Sequence, residues 1–249
     1  MARLTSQTES FVRSIQVPEK TRTYTPVSHG SVIDLVKESL KNKGLEIRST
    51  DYRTTQNGNA LQGIYHINHS TDKEMGMMFA FANSYDKTMR FKCAIGGYVF
   101  VCSNGMLRGD MATYNRKHSK NADEDIFLEL EQQMLIADNR YKETVDTKDI
   151  MKEIIISPLD ARAIVSELFF EQDMLTTEQI SIIKNEFKSP SFDYNCDKDA
   201  LWTTYQHITH SLKTTHPRDY MSNQIGVFNH LDKLYNFDSK KTNEVILAV

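Results

Sequence analysis

The chain has 249 residues, 39% hydrophobic and 25% charged, with a formal net charge of −3. Its 12 Phe and 11 Tyr exclude a disordered chain, which is poor in aromatic residues. The near-neutral balance excludes nucleic-acid binding by overall attraction, so any such binding needs a local basic patch. Residues 1–29 are polar, carry Pro18 and Pro26, and read as a flexible or extended arm, with room for a short element over Phe11–Val17. Val32, Leu35, Val36 and Leu40 then recur at helical spacing from Gly30-Ser31 to Gly44. After Gly44 the period falls to two. Leu45, Ile47 and Tyr52 alternate with polar residues, and the pair Asn57-Gly58 predicts a two-residue hairpin turn. Leu61–His69 is the return strand, and Met75–Asn83 is apolar enough to be central. Met89–Cys102 ends the meander, with a bend expected at Gly96-Gly97.

From Asp123 the pattern is helical. Ile126, Leu130 and Met134 share a stripe behind Asn121 and the acidic Asp123–Asp125. A short segment follows over Lys148–Ile156, and Ser157-Pro158 starts a helix with Pro in its first turn. Thr176-Thr177-Glu178 starts the next, and Asp197–Ser211 the last strong one. The fold class expected is therefore α+β: an antiparallel β-meander preceded by one helix and followed by a helical C-terminal half. The expected organisation is an arm over 1–29, one domain over 30–237 (sheet 45–102, helical half 121–237), and a tail over 238–249. Cys93, Cys102 and Cys196 show no CxxC spacing and read as free, buried thiols. No window approaches the roughly 18 apolar residues of a membrane span. With no signal-peptide pattern at Met1–Phe11, the cytoplasm of a bacterial host cell is the expected location.

A Pro-Val-x-His segment (Pro26-Val27-Ser28-His29) leads into the first helix, and Val101-Cys102-Ser103-Asn104-Gly105-Met106 ends the meander. Arg116-Lys117-His118 follows, and the late helix carries Leu201-Trp202-Thr203-Thr204-Tyr205-Gln206-His207-Ile208-Thr209. Together these resemble the phage/plasmid-like domain-of-unknown-function family 932, over residues 26–235. The resemblance implies a setting among phages, plasmids and mobile elements, near replication and recombination, and no settled activity. The order of sheet and helices is also similar to phage single-strand annealing proteins, which bind single strands along a basic groove as oligomers.

Charge locates the candidate site. Between Asp86 and Lys120 there are seven bases against two acids, whereas Asn121–Glu153 holds ten acids against four bases. Arg90, Lys92, Arg108, Arg116, Lys117 and Lys120 are the expected phosphate contacts, with Tyr114 and Asn104 against bases. The competing reading of this segment is a solvated loop paired with the acidic helix. Ser103-Asn104-Gly105 is either a plain turn or an anion-binding nest of backbone N–H groups. His207 and His210 share a helix face, but no further ligand stands at matching spacing, so no metal is expected. No nucleophile motif is present, no cofactor is implied, and no enzyme activity is expected. Trp202 and Tyr205 read as an anchor of their helix. The expected function is single-stranded DNA binding by a phage or mobile-element protein, as a homo-oligomer that anneals or recombines strands. The alternative is an interaction or inhibitor module for a host protein or a small nucleotide signal.

Overall fold

Strand β3 (Met75–Ser84) is buried along its whole length, so both of its faces need cover. A computed structural model provides that cover; it describes residues 6–22, 24–87, 89, 91–108, 112–113 and 122–237. The strands run in the order β1 (Ile47–Thr54), β2 (Ala60–Ile67), β3, β4 (Lys92–Val99), β5 (Gly105–Leu107), all antiparallel. Short β6 (Ala112–Thr113) also pairs with β4. One sheet face buries Tyr65, Met77, Phe79, Phe81 and Ile95. Helices α2 (His29–Asn42), α3 (Ala122–Leu135) and α4 (Ala137–Glu153) pack against the sheet. The other face is paved with Ala80, Ala82 and Ala94 and closes under Tyr220, Met221 and Ile225 of α8 (Tyr220–Tyr235). The α+β meander expected from the sequence is the fold.

Local chemistry sets most boundaries. Ser28 caps α2 by accepting from the Ser31 N–H at 2.8 Å, two residues before the expected start, and Gly44 stops it at φ +76. The Asn57-Gly58 pair does not form a two-residue turn. β1 ends at Thr54 and β2 starts at Ala60, and the five residues between are tied by the Asn57 carboxamide oxygen, which accepts from Thr55 and from the Asn59 N–H. At Gly96 and Gly97, where a bend was expected, β4 keeps its pairing on both sides. A Cβ on Gly96 would stand 2.1 Å from the Met106 carbonyl, so glycine is there to let β5 approach.

The N-terminal stretch is docked on the sheet. In α1 (Glu9–Ser14) Val12 is buried, Gln7 bridges to Tyr52, and Glu9 accepts from Arg13, Lys37 and Tyr52. His29 fastens α2 to two other elements. One ring nitrogen lies 3.0 Å from the Gly58 carbonyl, the other accepts from the Asn83 amide at 3.0 Å, and the ring stacks on Tyr85. Lys148, only 3% exposed, pins α4 to the β2–β3 turn through Asp72 at 2.7 Å and Glu74 at 3.4 Å. Helices α5 (Pro158–Phe170) and α6 (Thr177–Lys188) each begin with a full capping box, on Ser157/Asp160 and Thr176/Gln179. Helix α7 (Leu201–Ser211) lies inside this half, packed on α4, α5 and α6, with Trp202 stacked on Tyr205.

Candidate nucleic-acid interface

Of the eight residues expected to contact nucleic acid, Lys92, Asn104 and Arg108 fall among the described residues; Arg90, Tyr114, Arg116, Lys117 and Lys120 lie outside them. The described residues nearest in sequence to Arg90 and Tyr114 are positioned by one pairing. In the β4–β6 register, Lys92 opposes Thr113 and Cys93 opposes Ala112. The chain therefore enters β4, just after Arg90, at the same sheet end where it leaves β6, just before Tyr114. Lys92 belongs to that end. Its ammonium is half-buried, touches the Ser222 hydroxyl at 3.2 Å, and pairs with no carboxylate among the described residues. Burial lowers its pKa, partly offset by the charge of Asp219. Lys87 stands over the Tyr24 ring at 4.8 Å, and Arg218, two residues before α8, is paired with Asp86.

Asn104 and Arg108 are placed differently from the expectation. Asn104 is fully buried, and its amide nitrogen donates to the Gln206 backbone carbonyl at 3.1 Å and side-chain oxygen at 2.9 Å. It fastens the β4–β5 turn to α7 and presents nothing to a base. Ser103, not Asn104 or Gly105, takes the left-handed conformation, at φ 56. The turn makes no anion nest, because the Ser103 N–H donates to the Val99 carbonyl and the Asn104 N–H faces the Cys102 sulfur. The Arg108 side chain is 8% exposed. It donates to the Glu143 carbonyl at 3.1 Å and the Thr147 hydroxyl at 3.2 Å, and its guanidinium stands 5.3 Å from the Phe228 ring centroid. Burial and these contacts hold α4 and α8 to the sheet edge and turn the Arg108 guanidinium inward, away from a strand on the surface.

The Cys-Ser-Asn-Gly turn, the buried His29 of the Pro-Val-x-His segment and the buried Trp202 helix are now seen to be joints of one fold. A model of the family described as Domain of unknown function (DUF932) matches residues 19–235. The chain belongs to that family. No curated protein and no solved structure is significantly similar to it.

For this DUF932 chain the remaining chemistry is sparse. Among the described residues no group of three His, Cys, Asp or Glu is arranged to hold a metal ion, and no helix is long and apolar enough to cross a membrane. Cys93 and Cys102 are free and buried, and Cys196 is free and partly buried. His207 is buried with its pKa lowered to about 4 by desolvation, so the ring is neutral at pH 7.

Sequence reading missed a polar row on the α8 side of the sheet. Direct register partners place Arg53, Gln62, Ala82 and Lys92 in one line across the strands. Gln62 is fully buried there, and neither of its amide atoms has a hydrogen-bond partner. The only sequence signal was a Gln at an alternating position between Leu61 and Gly63, which reads equally well as a solvent-facing residue.

Proposed function

We propose that the chain is a non-enzymatic single-stranded DNA-binding protein, of the kind phages and mobile elements use as oligomers in annealing and recombination. Arg90, Arg116, Lys117 and Lys120 hold phosphates, and Tyr114 stacks on a base. The observation that supports this reading is the β4–β6 register, which sets Thr113, the residue before Tyr114, opposite Lys92, two residues after Arg90, and Lys92 is half-buried with no carboxylate ion pair among the described residues. A strand that follows such an end gains a run of cations without needing a charged protein overall. Asn104 and Arg108 are left out of this contact set, because both side chains are buried and contact the inside of the fold.

Fluorescence anisotropy with labelled poly-dT of several lengths, at low and moderate salt, tests the proposal. Affinity rises with oligonucleotide length and falls steeply with salt if the reading holds. The double change Arg116→Ala and Lys117→Ala removes two phosphate contacts. The logarithmic salt slope should then flatten by roughly 1.4, at about 0.7 per contact on a single strand. No binding at low salt, or an affinity untouched by the double change, refutes it.

A further inference from the structure

Helix α5 turns Ala161, Ile164, Val165 and Leu168 into the core and leaves the opposite face bare. On that face Leu159 and Phe170 are each 71% exposed, at the two ends of a helix 13 residues long. Ala163 and Ser166, also exposed, stand between them. The four recur at spacings of four, three and four, which is the seam of a two-stranded coil. The patch widens past the helix. Ile155 is exposed four residues before Leu159. Helix α8 runs along one flank of α5, with His230 3.1 Å from Glu167 and Tyr235 within reach of the Asp160 charge, and it adds the half-exposed Leu234 on that side. Scattered exposed hydrophobic residues need no partner, but a row along a whole helix marks an interaction face.

Two charges decide what covers the row. Arg162 and Glu167 lie on opposite flanks of it, each about 70° from its centre at the helical rotation per residue. Arg162 is exposed with no ion pair among the described residues, and Glu167 keeps half of its side chain in solvent beside His230. When two identical helices pair in parallel about a two-fold axis, each flank faces the opposite flank of the partner. Arg162 of each chain then meets Glu167 of the other, five residues on, and both ion pairs form at once. In an antiparallel pair each flank faces itself, and Arg162 would meet Arg162. The seam fits the parallel arrangement too. Ala163 and Ser166 allow a close approach where the axes cross, and Leu159 and Phe170 fill the widening gap on either side. We infer that the outer face of α5 is a self-association surface, on which a second copy of this chain docks its own α5 in parallel. One seam of this length falls short of the roughly 1,200 Å² of a stable interface, so the dimer is weak, with a Kd of about 10–100 µM. The contact goes beyond the DNA-binding reading and does not rest on it.

Sedimentation equilibrium of the full chain without DNA, from about 5 to about 500 µM, tests this; the average mass should climb from one chain toward two across that range. Arg162→Glu sets like charges in both pairs and weakens association about tenfold or more, and adding Glu167→Arg restores it to within about threefold of the wild type. Leu159→Ser with Phe170→Ser leaves a single-chain mass at every concentration. A wild-type chain that stays single throughout overturns the inference, whatever else might cover the face. So does dimerisation that Arg162→Glu leaves unchanged, or a loss that Glu167→Arg fails to restore. The wild-type series needs no variant to fold, and rescue by the second reversal separates a lost contact from a misfolded chain. A chain that dimerises in this way but binds no poly-dT keeps this contact and refutes only the DNA-binding reading.

Discussion

Asn104→Ala separates a structural from a base-reading role for the residue at the heart of the Cys-Ser-Asn-Gly turn. The change removes a donor that serves two acceptors, the Gln206 carbonyl at 3.1 Å and its side-chain oxygen at 2.9 Å. The carbonyl keeps the Thr209 hydroxyl at 3.3 Å, so its loss is small. The side-chain oxygen keeps only the weak Cys102 thiol at 3.7 Å. Stranding one buried acceptor costs about 1–3 kcal/mol, and the vacated volume adds to that, for a total near 3 kcal/mol. With a urea slope of about 3 kcal/mol/M, the unfolding midpoint falls by roughly 1 M. Trp202, buried in α7 four residues before Gln206, reports the transition by fluorescence. Asn104→Asp is worse than alanine, because it sets a buried carboxylate against two acceptors and has no amino group to give. Ser103→Ala, at an exposed neighbour, shifts stability by no more than about 0.5 kcal/mol. A midpoint change under about 0.3 M for Asn104→Ala, or a milder effect from Asp than from Ala, refutes the reasoning.

Three other perturbations follow from buried polar joints. Lys148→Ala leaves Asp72 and Glu74 facing a vacated site and should cost roughly 3 kcal/mol by urea denaturation; an effect below about 1 kcal/mol would show that the pair holds α4 weakly. Gly96→Ala sets a Cβ against the Met106 carbonyl of β5 and should lower the thermal midpoint by several degrees in differential scanning calorimetry; an unchanged midpoint would mean that β5 moves freely. Stability should also fall as pH drops from 6.5 to 4. Burial lowers the His29 and His207 pKa values to about 4, so in that window the unfolded chain takes up protons that the folded chain refuses. Above pH 6.5 neither state is protonated and the term vanishes. Fully developed, it amounts to about 3 kcal/mol per ring. Asp72 and Glu74 add a loss at lower pH: although burial opposes it, Lys148 and Lys152 hold their pKa values below the ordinary carboxylate range, so their contribution disappears as those groups protonate. His29→Gln should flatten the slope between pH 6.5 and 5 even though it lowers stability overall, and an unaltered slope would assign the titration elsewhere.

Strands β1 to β4, helix α2 before them and the helical half after them were legible because their signals are local, whereas β5 lies beyond the expected end of the sheet at residue 102. Alternation marks β1 and β2, Gly44 stops α2, and Ser157-Pro158 starts α5; each depends on residues within a turn or a strand of each other. Helix α4 was seen only in its last turns. Its inward face carries Thr144, Thr147 and Lys148 beside Tyr141 and Met151, so no apolar stripe announces it. Those polar positions are core positions only because the fold brings Asp72 and Glu74 from the β2–β3 turn, 76 and 74 residues earlier, to meet Lys148.

The candidate site divides in the same way. The sequence alone placed a cationic stretch after a β-meander, because charge and hydrophobic period are properties of neighbours along the chain. It also put Asn104 and Arg108 in that stretch, where only their proximity in sequence recommended them. The tertiary structure decided that Asn104 meets Gln206, 102 residues away, and that Arg108 meets Glu143 and Thr147. A polar side chain near a basic run can face solvent or close a joint with equal ease. Which it does depends on the partner the fold delivers, and that partner is written far away in the chain.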